Sequence, residues 1–208
     1  MQEAVAGHLD KLLSIVGGLV GLSGVLLISE DTLGLHGSSA LVASMGASAV
    51  LLFAVPHGPL SQPWPLLGGH LLSAAVGVAC AKLIAQPLLA APTAVALAIG
   101  VMHYLRCIHP PGGATALSAV VGGEAVHRLG FEYLLTPVLI NVLVILLVAV
   151  VFNYAFPWRR YPSALLRRQR GAARAQRRRP LASPSHSQTS GDQDARQTAS
   201  DAPASRRL

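Results

Sequence analysis

Four stretches of this chain, 11–29, 66–86, 88–106 and 134–156, are apolar over the length a helix needs to cross a bilayer. That length is roughly 17–25 residues. Lipid offers no partner to backbone N–H and C=O groups, so a crossing segment must satisfy them internally as a helix or closed barrel. The run from Leu134 to Phe156 is the clearest, with Thr136, Asn141 and Asn153 as its marked polar interruptions. Two further apolar stretches are short or punctuated. One is 38–55, rich in Ser, Ala and Gly and ended by Pro56; the other is 110–123, opened by Pro110-Pro111 and closed by Gly122-Gly123. The second is too short to span alone and reads as a half-helix. The pattern predicts an all-α membrane protein of about six transmembrane or half-transmembrane helices, with a first loop at 30–36.

The order long, short, long occurs in 11–86 and again in 88–156, which predicts two related three-element halves. Gly46-Ala47-Ser48-Ala49-Val50 in the first short element echoes Gly113-Ala114-Thr115-Ala116-Leu117 in the second. Duplicated halves with interrupted helices in matching positions are a transporter architecture, with the site near the bilayer midplane. The competing reading is that small residues pack any membrane helices closely, whatever the function.

Charge is unevenly placed. Residues 1–158 hold four basic and six acidic side chains, whereas 159–208 hold twelve Arg and three Asp. The net charge of +7 therefore belongs to the tail. No groove-reading module accompanies it, which excludes a nucleic-acid partner for the folded part. The tail, rich in Arg, Ser and Gln, cannot bury enough surface to fold, so 163–208 is expected to be disordered. Lys and Arg near helix ends mark the cytoplasmic side. The tail is thus expected in the cytoplasm of a bacterial cell, with the chain multi-pass in the inner membrane. With six crossings the N-terminus shares that side. Residues 11–29 lack a basic leader and a small-residue cleavage site and are expected to be a retained helix. Cys80 and Cys107 are read as small buried residues.

The residues richest in chemistry are Arg106-Cys107-Ile108-His109-Pro110-Pro111-Gly112-Gly113-Ala114-Thr115. The prolines stop one helix and pre-set the first turn of the next. A helix start presents free N–H groups and a positive dipole end to an anion, with donors expected from Gly112 to Thr115. His109 precedes that start. Arg106 is the one cation near it, and charge in a membrane protein pairs or faces water. His103 stands one turn before Arg106. His57 and His70 flank a proline-rich loop, and His57 falls at the first half's break. Ser44, Ser48, Thr115 and Asn141 are neutral donors for a small anion or for a neighbouring helix. The candidate binding set is therefore His109, Pro110, Pro111, Gly112, Gly113, Thr115, Arg106, Ser48, His57 and Asn141. Gly113 is expected to border the ligand or a facing helix, with Gly130 as a tolerant loop position. His109→Ala is expected to weaken binding with little structural cost. No set of zinc-ligating residues stands at supporting spacing, and no cofactor is implied. There is no G-x-S-x-G, no H-E-x-x-H and no pair of intramembrane carboxylates, so no enzyme is expected.

The sequence resembles the HPP family of integral membrane proteins across residues 7–162. The resemblance rests on His109-Pro110-Pro111-Gly112-Gly113-Ala114-Thr115-Ala116 and on Gly46 to Ala54 with Pro56-His57 and Pro59-Leu60. It extends to Gly68-Gly69-His70-Leu71-Leu72-Ser73-Ala74 and to Leu135-Thr136-Pro137-Val138 with Asn141. It implies a transmembrane domain over 1–162, similar to members associated with nitrite transport. Nothing matches the paired CBS domains of some relatives. The expected function is a transporter or channel for a small monovalent anion such as nitrite. The alternative is a non-transporting scaffold or sensor acting through the basic tail. The expected partners are a small anion and the lipid bilayer, and small-residue helix faces are compatible with a homo-oligomer.

Overall fold

The computed structural model describes residues 7–163, with side chains omitted for 32–39. The expectation for the 163–208 tail lies, after Ser163, outside the described residues. Among the described residues, six α-helices carry the fold: α1 (His8–Ala54), α2 (Pro63–Leu83), α3 (Pro87–Tyr104), α4 (Pro110–Val121), α5 (Gly123–Leu129) and α6 (Ile140–Tyr154). A 3-10 turn at Pro59–Ser61 leads into α2, and an irregular stretch from Gly130 to Leu139 leads into α6. Proline opens α2, α3 and α4, where the missing N–H costs nothing and φ is already helical. The helix expected from Leu134 starts later because Thr136, preceding Pro137, leaves the helical region at φ −133° and ψ 113°.

Helix α1 is 47 residues long by its hydrogen-bonding pattern, which takes in the loop expected at 30–36. It is nevertheless not one rod. On a straight helix, residues 17 and 53 would stand about 54 Å apart. Instead, a methyl group at Gly17 would lie 2.5 Å from the Phe53 ring. One shallow groove is lined by Ser14, Gly18 and Leu22 together with Phe53, Val50 and Gly46. The chain therefore doubles back between Asp31 and Ala40. It forms an N-terminal arm (His8–Asp31) and an antiparallel C-terminal arm (Ala40–Ala54). The two segments expected at 11–29 and 38–55 are these arms.

With the arms separated, the two halves are evident. Half one is the N-terminal arm, the C-terminal arm and α2; half two is α3, α4 and α6. In each half the first long helix packs against the last long helix of the other half. The N-terminal arm lays Gly17, Gly21 and Gly24 against Phe152, Ile145 and Val144 of α6. Helix α3 turns a buried stripe of Ala90, Ala94 and Ala98 toward α2 and Cys80. The short middle elements, the C-terminal arm and α4, pack on each other. At 1.5 Å per residue they measure about 22 and 18 Å, shorter than the roughly 30 Å hydrocarbon core.

Contacts at the helix ends fix their directions. The Trp64 indole N–H donates to the Leu105 carbonyl, and the Arg159 guanidinium bonds both Asp10 and the Phe53 carbonyl. The start of α1, residues 55–62, the α3–α4 turn and the end of α6 thus share one side. Ile84–Gln86, α5 and Gly130 share the other, where a Cβ at Gly130 would stand 3.2 Å from Lys82 Nζ. Each half has three elements, so the halves run in opposite directions, as inverted repeats do. Leu19, Leu27, Leu88, Leu147 and Val151 face outward and are exposed, as a lipid-facing surface requires. Trp64, Tyr104, Tyr154 and Trp158 ring the first side, in the manner of an interfacial aromatic belt.

Candidate functional site

The two short elements meet α2 at one point, and every polar side chain there is buried. Small residues permit the approach. A Cβ at Gly112 would stand 2.5 Å from the Gly69 carbonyl, and one at Gly69 would stand 2.5 Å from His109 Cβ. Around this crossing Ser44, Ser48, His70, His109 and Thr115 are at most 1% exposed. They form one hydrogen-bonded chain. His109 Nδ1 lies 2.8 Å from the Leu60 carbonyl, His109 Nε2 lies 2.9 Å from Ser48 Oγ, and Ser48 Oγ lies 2.8 Å from His70 Nε2. His70 Nδ1 lies 2.7 Å from Thr115 Oγ1, which lies 2.7 Å from Ser44 Oγ. The Ser44 hydroxyl also reaches the Pro111 carbonyl at 2.6 Å.

The hydrogens follow from the end of the chain. A carbonyl only accepts, so His109 Nδ1 donates to Leu60 and neutral His109 accepts at Nε2. Ser48 has one hydrogen; donating it to His109, it must accept from His70 Nε2–H. His70 Nδ1 then accepts from Thr115, and the one hydrogen of Ser44 goes either to Thr115 or to the Pro111 carbonyl. The neutral cluster therefore holds five hydrogens for six contacts of 2.9 Å or shorter, and one contact is left without a donor. Ser73, one turn after His70 on α2, adds a buried hydroxyl with no partner among the described residues. A Cβ at Gly112 would stand 3.0 Å from its Oγ.

The loop that carries Leu60 is held firmly. Ser61 Oγ shares its one hydrogen between the carbonyls of Leu51 (3.0 Å) and Val55 (2.8 Å), and the Tyr161 hydroxyl donates to Ser61 O at 2.7 Å. Burial pushes the Tyr161 phenol pKa upward, so it stays a neutral donor.

Of the sequence-predicted set, the fold brings together Ser48, His109 and Thr115, with Pro111 contributing its carbonyl. His70 and Ser44 join them. Sequence reasoning gave the first half's histidine role to His57, which is exposed in the loop. The signal for His70 was its place inside an apolar helix after Gly68-Gly69. Arg106 is exposed, in the left-handed region at φ 54°. Asn141 is buried elsewhere, donating to Ser29 Oγ at 2.7 Å. Gly112, not Gly113, makes the tight crossing. A Cβ at Gly113 meets only Val95 at 3.8 Å, and this residue with Pro110 borders an apolar groove of about 280 Å³ between α3 and α4. Gly130 is a poor tolerant control, since its φ of +53° and ψ of −127° disfavour any side chain. One of the amide donors expected at the α4 start is already used. Gly112 N–H donates to the His109 carbonyl at 2.8 Å. Because His109 is wholly buried and bonded at both nitrogens, its replacement by Ala removes core volume as well as a contact.

Residues 4–162 match the family described as HPP, transmembrane region. The chain belongs to this family. Two transmembrane proteins of Dictyostelium discoideum are similar to it, at 46% and 44% identity over 126 residues. Each alignment covers 59% of this chain but 40% and 44% of the respective relative, so this HPP chain spans less than half the length of the curated relatives it matches. No solved structure matches it.

Proposed function

We propose that this HPP protein is a membrane transporter for a small monovalent anion, nitrite or a species of similar size. The observation that carries this reading is the buried imidazole–hydroxyl cluster where two half-length helices cross inside an inverted repeat. Broken or shortened elements at a repeat interface are where transporters of this architecture hold substrate. The cluster lacks carboxylates, and Ser73 has a hydroxyl to give, which suits a small acceptor-rich solute. Arg106 and His103, both exposed near the α3–α4 turn, supply positive or donor character where an anion would approach. The family resemblance supplies nitrite as the first substrate to try.

The test is uptake by liposomes holding the purified full chain, against a panel of nitrite, nitrate, formate and chloride. Saturable uptake of at least one anion above protein-free liposomes is expected. Thr115→Val, nearly isosteric, should reduce that uptake at least tenfold. Intact protein that moves none of the anions overturns the reading and favours a membrane scaffold or sensor.

A further inference from the structure

We propose that the His70–Ser48–His109 bridge is a one-proton site, and that the transported anion enters together with that proton. This rests on the anion-transport reading above. Its starting point is a missing charge. Among the described residues, no Arg or Lys side chain bonds to the cluster, and the Gly112 amide at the α4 start is already used. An anion taken out of water needs a compensating charge or a full set of donors. The only groups at the crossing able to provide that charge are the two imidazoles.

The geometry accepts one proton without rearrangement. In the neutral chain Ser48 gives its hydrogen to His109 Nε2. If His109 Nε2 is protonated, Ser48 must accept from both rings, which its two lone pairs allow, and must turn its hydrogen elsewhere. A second acceptor is in place: the Ser44 carbonyl, 3.2 Å from Ser48 Oγ. Rotation of one hydroxyl thus lets the bridge hold an imidazolium, with both rings donating to Ser48. The proton adds to the Nε2 lone pair of His109, and its departure restores that lone pair. No bond of the protein breaks. A second proton is opposed because the ring centroids are 4.9 Å apart, and two cations at that distance repel strongly in a dry interior.

The groups facing the pair are few. The C-terminal arm presents Ser44 and Ser48, α4 presents Thr115, and α2 presents Ser73 beside His70. The α3–α4 turn presents Cys107, whose thiol lies against Gly68. No carboxylate among the described residues bonds to either ring, so the imidazolium has no partner in the protein. A bound anion is the missing partner, and each of proton and anion therefore raises affinity for the other. Moving as a pair they carry no net charge.

The experiment uses the full chain in liposomes loaded with a pH-sensitive dye, with nitrite as probe and protein-free liposomes subtracted. Internal acidification should match nitrite uptake one to one. An acid-outside pH gradient should accelerate uptake, and an imposed membrane potential should leave the initial rate unchanged. Ser48→Ala should lower coupled uptake at least tenfold in folded protein, with a lowered melting temperature because buried ring nitrogens lose their partner. Nitrite uptake without proton movement, driven by the potential, overturns the proton site and leaves the transport reading standing. Coupled uptake that survives in Ser48→Ala overturns the bridge. If that variant does not fold, the proton-to-nitrite ratio of the unaltered chain decides. Absence of uptake for every anion overturns both proposals.

Discussion

At the scale of single residues, the two adjacent glycines of the α4 start do opposite jobs. Gly112 has another backbone against it and Gly113 has open space, although the sequence presents them as equivalents. Gly112→Ala should therefore force α4 off α2, an overpacking cost of about 1–3 kcal/mol or more. Gly113→Ala should be close to neutral, and it also removes a helix-disfavouring glycine. Melting temperatures of the two variants in detergent check the contrast; equal losses would mean the crossing is misplaced. The same residues mark how far the sequence could be read. His109, Thr115 and Ser48 were legible because they sit in motifs with unusual local chemistry. His70 and Ser44 were not placed in the site, since what makes them important is the approach of α4, some 40 to 70 positions along the chain. Neither was the use of the Gly112 amide, which depends on the His109 carbonyl turning back to it.

At the scale of elements, one guanidinium joins three helix ends. Arg159, 2% exposed, bonds Asp10 and Ser14 of the N-terminal arm, the Phe53 carbonyl at the end of the C-terminal arm, and Asn153 Oδ1 of α6. Arg159 is buried and Asp10 partly so, and removing one member of such a pair costs up to about 3–5 kcal/mol. Arg159→Met should show a loss of that order in chemical unfolding. Arg159→Lys should recover little of it, because an ammonium cannot span the fork of acceptors. The apolar segments were legible from length alone, and the G-A-S-A and G-A-T-A echoes do fall in matching short elements. The short helix α5 and the irregular lead into α6 were not, because polar residues and Pro137 interrupt the hydropathy signal without predicting a geometry.

At the scale of the whole molecule, sidedness is the sharpest expectation. Single cysteines at His57 and Arg106 should label from one face, and at Gln86 and Glu124 from the other; all four positions are exposed. The native Cys80 and Cys107 are buried and should react slowly. Lys11, Arg106 and Arg160 lie toward the first face and Lys82 and Arg128 toward the second. Reporter fusions at both termini should therefore read out on the cytoplasmic side. Labelling of His57 and Gln86 from the same face would break the inverted repeat.

Because each half lends its first long helix to the other, neither half is a unit. The N-terminal arm has no proper seat until α6 has been made, more than 100 residues later in synthesis. Expressed separately, 1–86 and 87–208 should each be degraded, whereas co-expression should return a folded pair. The exchange also speaks to descent. A half-length chain of this design could seat its first helix only on a second copy inserted the other way up. A gene duplication that gave rise to this fold would therefore have joined the two members of an antiparallel dimer already at work in the membrane.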